Sequence, residues 1–255
     1  NITKTCGVSA YEVFQFLLLL VFQGKNLFRF LNSKHKEQAV SKNTYYRFLN
    51  EVSYNWSRFL MLLAVKVTSA FDRLTRPERV NVLILDDSVI KRNRSKKMEL
   101  LARVYDHVEH KFQKGFTLLT LGWSDGYSFV PTNGYKVRKA SMMHKTDVAV
   151  QLIRNVLTAG IKADYVLMDT WFTTEPMLKE ILDTGIHAIG MVKQLQQRYT
   201  YNGRQYTLPG LKKFVDFSGA RNIFGSLVVT TKTGIPVKIV FVRNRNKKSE
   251  CLYLL

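Results

Sequence analysis

The hydrophobic positions in the first part of the chain recur at intervals of three and four residues, the spacing of an amphipathic helix. The sequence Ser9-Ala10-Tyr11-Glu12 has the pattern of a helix capping box and precedes a long apolar run. A second helical stretch begins near Ser41 or Asn43, and a third covers residues 56–74 and stops before a proline. Residues 1–76 are therefore predicted to form a helical region.

From residue 80 onward the pattern changes to short continuous apolar runs, which are typical of buried strands. Residues 81–85 run directly into the carboxylates Asp86 and Asp87. The run Tyr165-Val166-Leu167-Met168 ends in the same way at Asp169. The sequence thus predicts two buried strands, each of which carries acid at its C-terminal end.

Other helices and strands are predicted around these two strands. They are a hairpin over residues 116–130 that turns at Asp125-Gly126, a helix capped by Asp147, a helix opened by Thr174-Glu175-Pro176, and a strand over residues 187–192. The periodicity of residues 98–112 also fits a helix, although two histidines and a following glycine argue against one. Beyond residue 193, turns at Asn202-Gly203, Pro209-Gly210 and Thr233-Gly234 indicate short strands. The helix–strand alternation favours parallel crossovers in a mixed sheet.

Composition narrows the class of partner. The 255-residue chain has 39 Lys and Arg against 19 Asp and Glu, a formal net charge of +20, and is 46% hydrophobic. It is therefore a folded, strongly basic protein, and its charge favours phosphate-rich partners such as nucleic acid. A basic protein bound to the ribosome would have the same composition, so charge alone does not identify the partner. A membrane partner is not predicted, because no basic amphipathic helix stands out.

Cysteine usage and the apolar runs carry little functional signal. Cys6 and Cys251 are far apart and form no metal-binding motif, so neither a disulfide scaffold nor a zinc site is predicted, and a reducing cytosol suits the chain. The apolar run over residues 16–22 is shorter than the ~20 residues that span a bilayer. The apolar end of the chain, residues 251–255, suggests that the sequence stops within a strand and is a fragment.

The two acid-bearing strands carry the predicted chemistry. Acids at the tips of neighbouring strands can meet at one edge of a sheet, and carboxylate oxygens suit hard divalent cations such as Mg²⁺. Taken alone, Asp86-Asp87 is better explained as a solvated acidic pair in a turn at the end of a strand. Asp169 taken alone fits a cap for the segment after it, a role that Thr173 or Thr174 could fill instead. The repetition of the same pattern on a second strand favours a metal site.

At this point the chain resembles a known family. Leu85-Asp86-Asp87-Ser88, the hairpin residues 121–126, the segment 165–172 and the strand ending Gly190-Met191-Val192-Lys193 are similar, in order and spacing, to insertion-sequence transposases of the DDE superfamily. The resemblance is to the group named after insertion sequence four, and covers most of residues 80–255. It implies an α/β, RNase H-like mixed sheet: a three-stranded antiparallel meander plus parallel strands with helices, a helical N-terminal region and a β-rich insertion.

The resemblance implies catalytic and metal-binding roles for Asp87 and Asp169. Asp86 is the alternative to Asp87, which is preferred because the family places its first acid directly before a small hydroxyl residue, here Ser88. Two Mg²⁺ ions (or Mn²⁺) about 4 Å apart would activate the nucleophile and stabilise the leaving oxygen. The family's third acid, a glutamate within a Tyr/Arg/Glu/Lys signature, has no counterpart, because Glu250 lies in a strand-like context. The fragment is therefore expected to be inactive alone.

Three basic segments, residues 91–97, 135–145 and 243–248, are predicted to contact DNA phosphates. Taken singly, each has the composition of an ordinary solvated surface. The candidate residues are Lys91, Arg92, Arg94, Lys96, Lys97, Lys136, Arg138, Lys139, Arg243 and Arg245. Trp171 and Phe172 either stack on a distorted DNA end or pack beneath the next helix. Residues 41–47 fit a helix-turn-helix and a solvated helix face with core tyrosines equally well.

The sequence therefore predicts three regions: residues 1–76, helical and a candidate for binding DNA ends; residues 77–193, the catalytic core; and residues 194–255, a β-rich insertion. The predicted function is that of a DNA transposase acting on double-stranded transposon ends and target DNA. The family further implies a homodimer on DNA and a location in the bacterial cytosol or nucleoid. The alternatives are another RNase H-like nuclease and a non-catalytic, decayed transposase that binds DNA.

Overall fold

The computed structural model describes residues 2–4, 6–76, 78–137, 144–194, 196–215, 222–247 and 250–255. The chain divides into two compact units, Asn1–Phe59 and Leu60–Leu255. The boundaries predicted at residues 76 and 193 remain predictions. Within the part of the chain described, no helix combines the length and apolar character needed to cross a membrane.

The first unit is helical, as predicted. It contains α1 (Ala10–Phe22), α2 (Leu27–Leu31), a 3₁₀ turn (Lys36–Gln38), α3 (Lys42–Leu49) and the start of α4 (Trp56–Leu74). The capping box at Ser9 and Glu12 is confirmed, because each residue's side chain accepts the other's backbone N–H at 3.2 Å. The short α2 was not predicted. Tyr45 and Phe48 of α3 are buried in the core of this unit, so Tyr45 is a core tyrosine, as the second interpretation of residues 41–47 expected.

The second unit is built on a mixed sheet. Its strands are β1 (Val82–Lys91), β2 (Ala102–Asp106), β3 (Lys111–Ser124), β4 (Phe129–Val137), β5 (Tyr165–Met168), β6 (His187–Val192), β7 (Tyr199–Tyr201), β8 (Arg204–Tyr206), β9 (Ile223–Thr230), β10 (Pro236–Arg243) and β11 (Cys251–Leu254). Its helices after α4 are α5 (Lys145–Thr158), α6 (Glu175–Leu182) and α7 (Leu208–Lys212). Five of these strands, in the order β4-β3-β1-β5-β6, form the RNase H-like sheet that the sequence predicted.

Strand pairing in this sheet follows from chain connectivity. β1, β3 and β4 form the antiparallel meander, and the hairpin between β3 and β4 turns at Gly126, whose φ of 87° favours glycine. β1 then pairs in parallel with β5, and β5 with β6, after crossovers that contain α5 and α6. On one face of the sheet, Leu83, Val166 and their neighbours are buried with residues of α5 and α6 in one core. The central strands are thereby fixed in register.

The helix suggested for residues 98–112 was wrong. Residues 102–106 form β2, which pairs with residues 111–115 of β3 as an antiparallel hairpin. Cross-strand pairing wins here because Gly115 lets β3 approach β1 closely: a Cβ at Gly115 would lie 2.3 Å from the Ile90 carbonyl oxygen. A helical pattern of apolar residues does not reveal such a contact with a distant strand.

Two smaller predictions also need correction. Pro209-Gly210 is not a turn but part of α7, because proline fits the first helical turn and Leu208 and Leu211 are buried. Asp147 is not the N-cap of α5: it is the third residue of the helix, and its Oδ2 accepts the N–H of the true cap, His144, at 3.1 Å. The turns at residues 202–203 and 233–234 are confirmed, and β11 pairs with β6, so the later strands extend the same sheet.

Candidate active site

The two acid-bearing strands lie next to each other. β1 and β5 are parallel, and the last pair in register is Leu85 with Met168, so Asp86 and Asp169 follow directly on the two strands. Asp86, Asp87 and Asp169 all line one cleft of ≈880 Å³. The fold therefore brings the predicted acids together at one edge of the sheet.

Asp87 forms an ion pair with a lysine. Side chains alternate along a strand, so Asp87 lies on the same face of β1 as the buried Leu83 and Leu85. That face packs against α5, whose first residue is Lys145, and the Lys145 ammonium pairs with Asp87 Oδ2. The Lys145 and Asp87 side chains are 16% and 30% exposed, so the pair is largely shielded from water. The second oxygen of Asp87 has no hydrogen-bond partner among the described residues.

Asp169 is oriented by the turn that follows β5. Its Oδ1 accepts the N–H groups of Trp171 and Phe172 at 2.9 and 3.3 Å. The Thr173 hydroxyl donates to the Asp169 carbonyl oxygen at 2.7 Å and lies against Gly190 of β6, where a Cβ would be 2.2 Å from Thr173 Oγ1. Asp169 thus caps the turn with one oxygen, and its exposed Oδ2 has no partner among the described residues.

Asp86 stays an alternative first acid. It is exposed, lies on the opposite face of β1 from Asp87, and its Oδ1 accepts the N–H of Asp87 at 2.8 Å. Because Asp86 lines the same cleft as Asp87, the geometry does not choose between them.

Carboxylate oxygens without partners, at one cleft, fit a hard divalent cation in chemical type. Among the described residues, however, no group of three or more His, Cys, Asp or Glu side chains is arranged to hold a metal ion. Glu250, the acid that follows β10, is engaged elsewhere: it accepts from Lys247 at 3.0 Å and from Asn244 at 3.2 Å. Asp87 and Asp169 therefore offer two carboxylates to one cleft, and the described residues around them form no complete set of metal ligands.

A model of the family described as DDE superfamily endonuclease matches residues 17–204. The chain belongs to this family. Comparison with curated protein sequences gives no match.

Solved structures of transposases and nucleases are similar to part of this chain. A piggyBac transposase synaptic complex with hairpin DNA is 14% identical, with a TM-score of 0.40 over 84% of this chain and 40% of that one. The Drosophila P element transposase strand transfer complex is 12% identical, with a TM-score of 0.41 over 84% and 51%. Endonuclease V of Ciona intestinalis, in complex with an inosine-containing DNA, is 12% identical, with a TM-score of 0.36 over 74% and 79%. The chain spans about half or less of the length of the two transposases.

The residues predicted to contact DNA lie in different settings. Lys91 pairs with Asp106 at 2.8 Å and with Glu109, so its charge is already balanced. Arg243 stacks on Phe224 at 5.3 Å. Lys136 lies in β4, whereas Arg138 and Lys139 lie outside the described residues. The remaining candidates are exposed: Arg92, Arg94, Lys96 and Lys97 in the segment after β1, and Arg245 in the turn after β10.

The two aromatic residues after Asp169 have separate roles. Phe172 is fully buried in the core, as one of the two interpretations predicted. Trp171 is 48% exposed, lines the cleft, and contacts the Phe172 ring edge-on at 4.9 Å. The Lys145 ammonium lies 4.1 Å from the Trp171 ring centre, a cation–π contact. Trp171 is thus available to a ligand in the cleft and Phe172 is not.

Sequence reasoning did not single out Lys145, which appeared only as the end of a basic run. Its contact with Asp87 spans 58 residues and depends on how α5 crosses the sheet. The network around Asp106 was also not predicted, because Asp106, Glu109 and Gln113 meet Lys91 only through the β2–β3 hairpin. No local motif identifies either cluster.

Proposed function

We propose that this DDE superfamily endonuclease acts as a transposase of the insertion-sequence-four type, which cuts and joins DNA strands by divalent-metal-dependent phosphoryl transfer. The observation that carries the proposal is that Asp87 and Asp169 line one cleft, just beyond the point where the parallel pairing of β1 with β5 ends, and that each has a carboxylate oxygen free of partners among the described residues. Membership of the family supports the same reaction class.

Asp87 and Asp169 are the residues that would hold the cation, with Mg²⁺ or Mn²⁺ as the preferred ions for oxygen ligands. When bound, a pair of such ions activates the attacking water or 3′-hydroxyl and stabilises the leaving oxygen of the phosphodiester. The protein contributes orientation: the backbone N–H groups of residues 171 and 172 fix the Asp169 carboxylate before the substrate binds. Lys145 holds Asp87 in place when no cation is bound.

Double-stranded DNA, as transposon ends and as target, is the proposed substrate. The formal net charge of +20 provides strong attraction to a polyanion, and exposed arginines and lysines follow β1 and β10 near the ends of the sheet strands. A homodimer on paired ends is part of the proposal, as is a cytosolic or nucleoid location.

A second candidate is a DNA-binding protein without catalysis. It is favoured by one observation: within the described ranges, no group of three or more His, Cys, Asp or Glu side chains is arranged to hold a metal ion. The two proposals predict the same DNA binding and differ in what divalent metal does to the DNA.

Cleavage of supercoiled plasmid in Mg²⁺ or Mn²⁺ by the complete protein tests the proposal. Asp87→Asn and Asp169→Ala should each lower the cleavage rate by at least ~10³-fold, because each removes a charged ligand used in the transition state. Asp86→Asn should have a far smaller effect, and the reverse ranking of Asp86 and Asp87 would identify Asp86 as the first acid.

Asp72→Asn is the matched control, because Asp72 is an exposed carboxylate on α4 that does not line the cleft. Plasmid binding should survive in all four variants. Equal cleavage by wild type and Asp169→Ala would disprove the catalytic assignment, and metal-independent DNA binding with no cleavage would favour the second candidate.

A further inference from the structure

The β2–β3 hairpin carries a cluster of aromatic and cationic side chains that the proposed reaction does not use. Tyr105 and Phe112 lie directly opposite each other in the hairpin, with ring centres 5.1 Å apart at 69°. The Arg103 guanidinium lies 4.4 Å from the Phe112 ring centre, and the His107 ring contacts Tyr105 at 5.0 Å. Four planar groups are therefore gathered on one small surface, named here the hairpin platform.

The hairpin platform faces outward while the opposite face of the hairpin is anchored. Arg103 and Tyr105 alternate with Val104 and Asp106 along β2, so the two pairs lie on opposite faces. Asp106 is buried and is bound by Lys91. In contrast, Tyr105 is 39% and Phe112 55% exposed. The two rings are therefore exposed on a hairpin that is anchored from its other face, and they are not the exposed edge of a hydrophobic core.

The hairpin platform belongs to the same cleft as the acids. Arg103, Tyr105, His107 and Phe112 line this cleft together with Asp87 and Asp169. By strand alternation the hairpin platform lies on the sheet face that carries Asp86, and the cleft that the platform and Asp87 both line therefore includes residues of both faces. Asp87 pairs with Leu119 of β3, seven residues from Phe112, which corresponds to ~23 Å at about 3.3 Å per residue. A strand whose phosphate lay at the acids would therefore reach the platform only several nucleotides away.

We propose that the hairpin platform binds unpaired bases of a DNA strand that enters the cleft. Exposed rings next to a planar cation are the usual means of holding single-stranded nucleic acid, because bases of any sequence stack on them. Arg103 extends the stack of Phe112 and also offers a charge to the backbone phosphates. The inference rests on the proposed function and defines its substrate: DNA whose strands are separated beside the reacting phosphate.

The test uses oligonucleotides with 2-aminopurine at an unpaired position, measured in EDTA so that no metal chemistry contributes. Stacking on an aromatic ring quenches 2-aminopurine emission, so binding to wild type should lower it. Phe112→Leu and Tyr105→Leu keep an apolar side chain but lose the ring plane. Each should restore the emission and weaken binding to single-stranded DNA by roughly tenfold, while fully paired DNA binds as before.

Tyr127→Leu is the matched control, because Tyr127 is an 86% exposed ring on the β3–β4 turn that does not line the cleft. Arg103→Gln should lower the salt dependence of binding, and the two leucine variants should not. Unchanged quenching and affinity in Phe112→Leu and Tyr105→Leu, equal to Tyr127→Leu, would overturn the hairpin platform. If the Asp87 and Asp169 variants still abolished cleavage in that case, the proposed function would stand without the hairpin platform. Variants that lose only base stacking should still cleave a substrate whose strands are already separated.

Discussion

Two carboxylates in the same cleft, Asp106 and Asp169, differ in how completely the protein uses their oxygens. Asp106 Oδ1 accepts two backbone N–H groups at 2.9 and 3.2 Å, and its Oδ2 accepts from Gln113 at 3.0 Å and pairs with Lys91 at 2.8 Å. Asp169 Oδ1 also accepts two backbone N–H groups, but no described residue binds its Oδ2. The number of acids near a cleft is thus a poor guide to a metal site. The number of carboxylate oxygens that accept no hydrogen bond from the protein is a better one.

Asp87 lies between these two cases. One of its oxygens pairs with a lysine, as in Asp106, and the other is free among the described residues, as in Asp169. A cation in the cleft must therefore compete with Lys145 at Asp87, whereas at Asp106 it would face four donors that already saturate the carboxylate. The comparison predicts that the Asp169 and Asp87 surroundings respond to metal and that those of Asp106 do not.

Among changes that leave the acids themselves intact, the largest loss of cleavage is expected from a change in the turn that holds Asp169. In Gly190→Ala the new Cβ would overlap Thr173, whose hydroxyl fixes the Asp169 carbonyl, and the Asp169 turn must move. Overpacking of this kind costs about 1–3 kcal/mol of stability. Because a shift of ~1 Å in a catalytic group lowers the rate by about 10²-fold, cleavage should fall by that order. Thermal unfolding and plasmid cleavage measure the two effects separately.

The double variant Gly190→Ala/Thr173→Ala removes the overlapping atoms and is the matched control. It should recover part of the cleavage lost in Gly190→Ala, with a clear coupling energy between the two positions. Full activity of Gly190→Ala alone would mean that the turn tolerates the methyl group and that Thr173 does not position Asp169.

A smaller effect is expected at Asp87. In Lys145→Met the competing ammonium is lost while a long apolar side chain remains over Trp171, so Mn²⁺ should bind about 3- to 10-fold more tightly. Electron paramagnetic resonance of free Mn²⁺ measures this affinity without reference to activity. Lys145→Arg keeps the charge and should bind Mn²⁺ like wild type. Weaker Mn²⁺ binding in Lys145→Met would show that the lysine supports the metal instead of competing with it.

Features of the fold that are encoded in neighbouring residues could be predicted from the sequence, whereas features that depend on contacts between distant residues could not. The strand that contains Asp86-Asp87, the strand that precedes Asp169 and the turn at residues 125–126 are each encoded in consecutive residues, and all three are confirmed as structure. The predicted end of the first strand was wrong, because β1 does not stop at Asp87 but continues to Lys91. For the β2–β3 hairpin the sequence left a helix open although two histidines and a glycine argued against it, because the close approach of Gly115 to Ile90, 25 positions away in sequence, is not visible in a local pattern. The role of Lys145 was not predicted either, because its contact with Asp87 spans 58 residues and no local pattern relates the two.

The smallest expected effect concerns the saturated acid. The hydrogen bond from Lys91 lowers the pKa of Asp106 to about 2, against a buried position that would raise it. Because the pKa is lower in the folded state, the ionised carboxylate stabilises the fold at any pH above the ordinary pKa of ~3.9. This stabilisation is lost as the pH falls towards 2. In Lys91→Met the Asp106 pKa should therefore rise towards ~3.9, seen in the carboxyl ¹³C shift. The difference in Tm from wild type should be full at pH 7 and shrink below pH 4.

Lys111→Met, which removes only a partner of Glu109, should leave the Asp106 pKa near 2. If instead Lys91→Met leaves that pKa unchanged, the backbone N–H groups of Val108 and Glu109 hold the charge, and Asp106 resembles Asp169 more closely than the ion pair suggests.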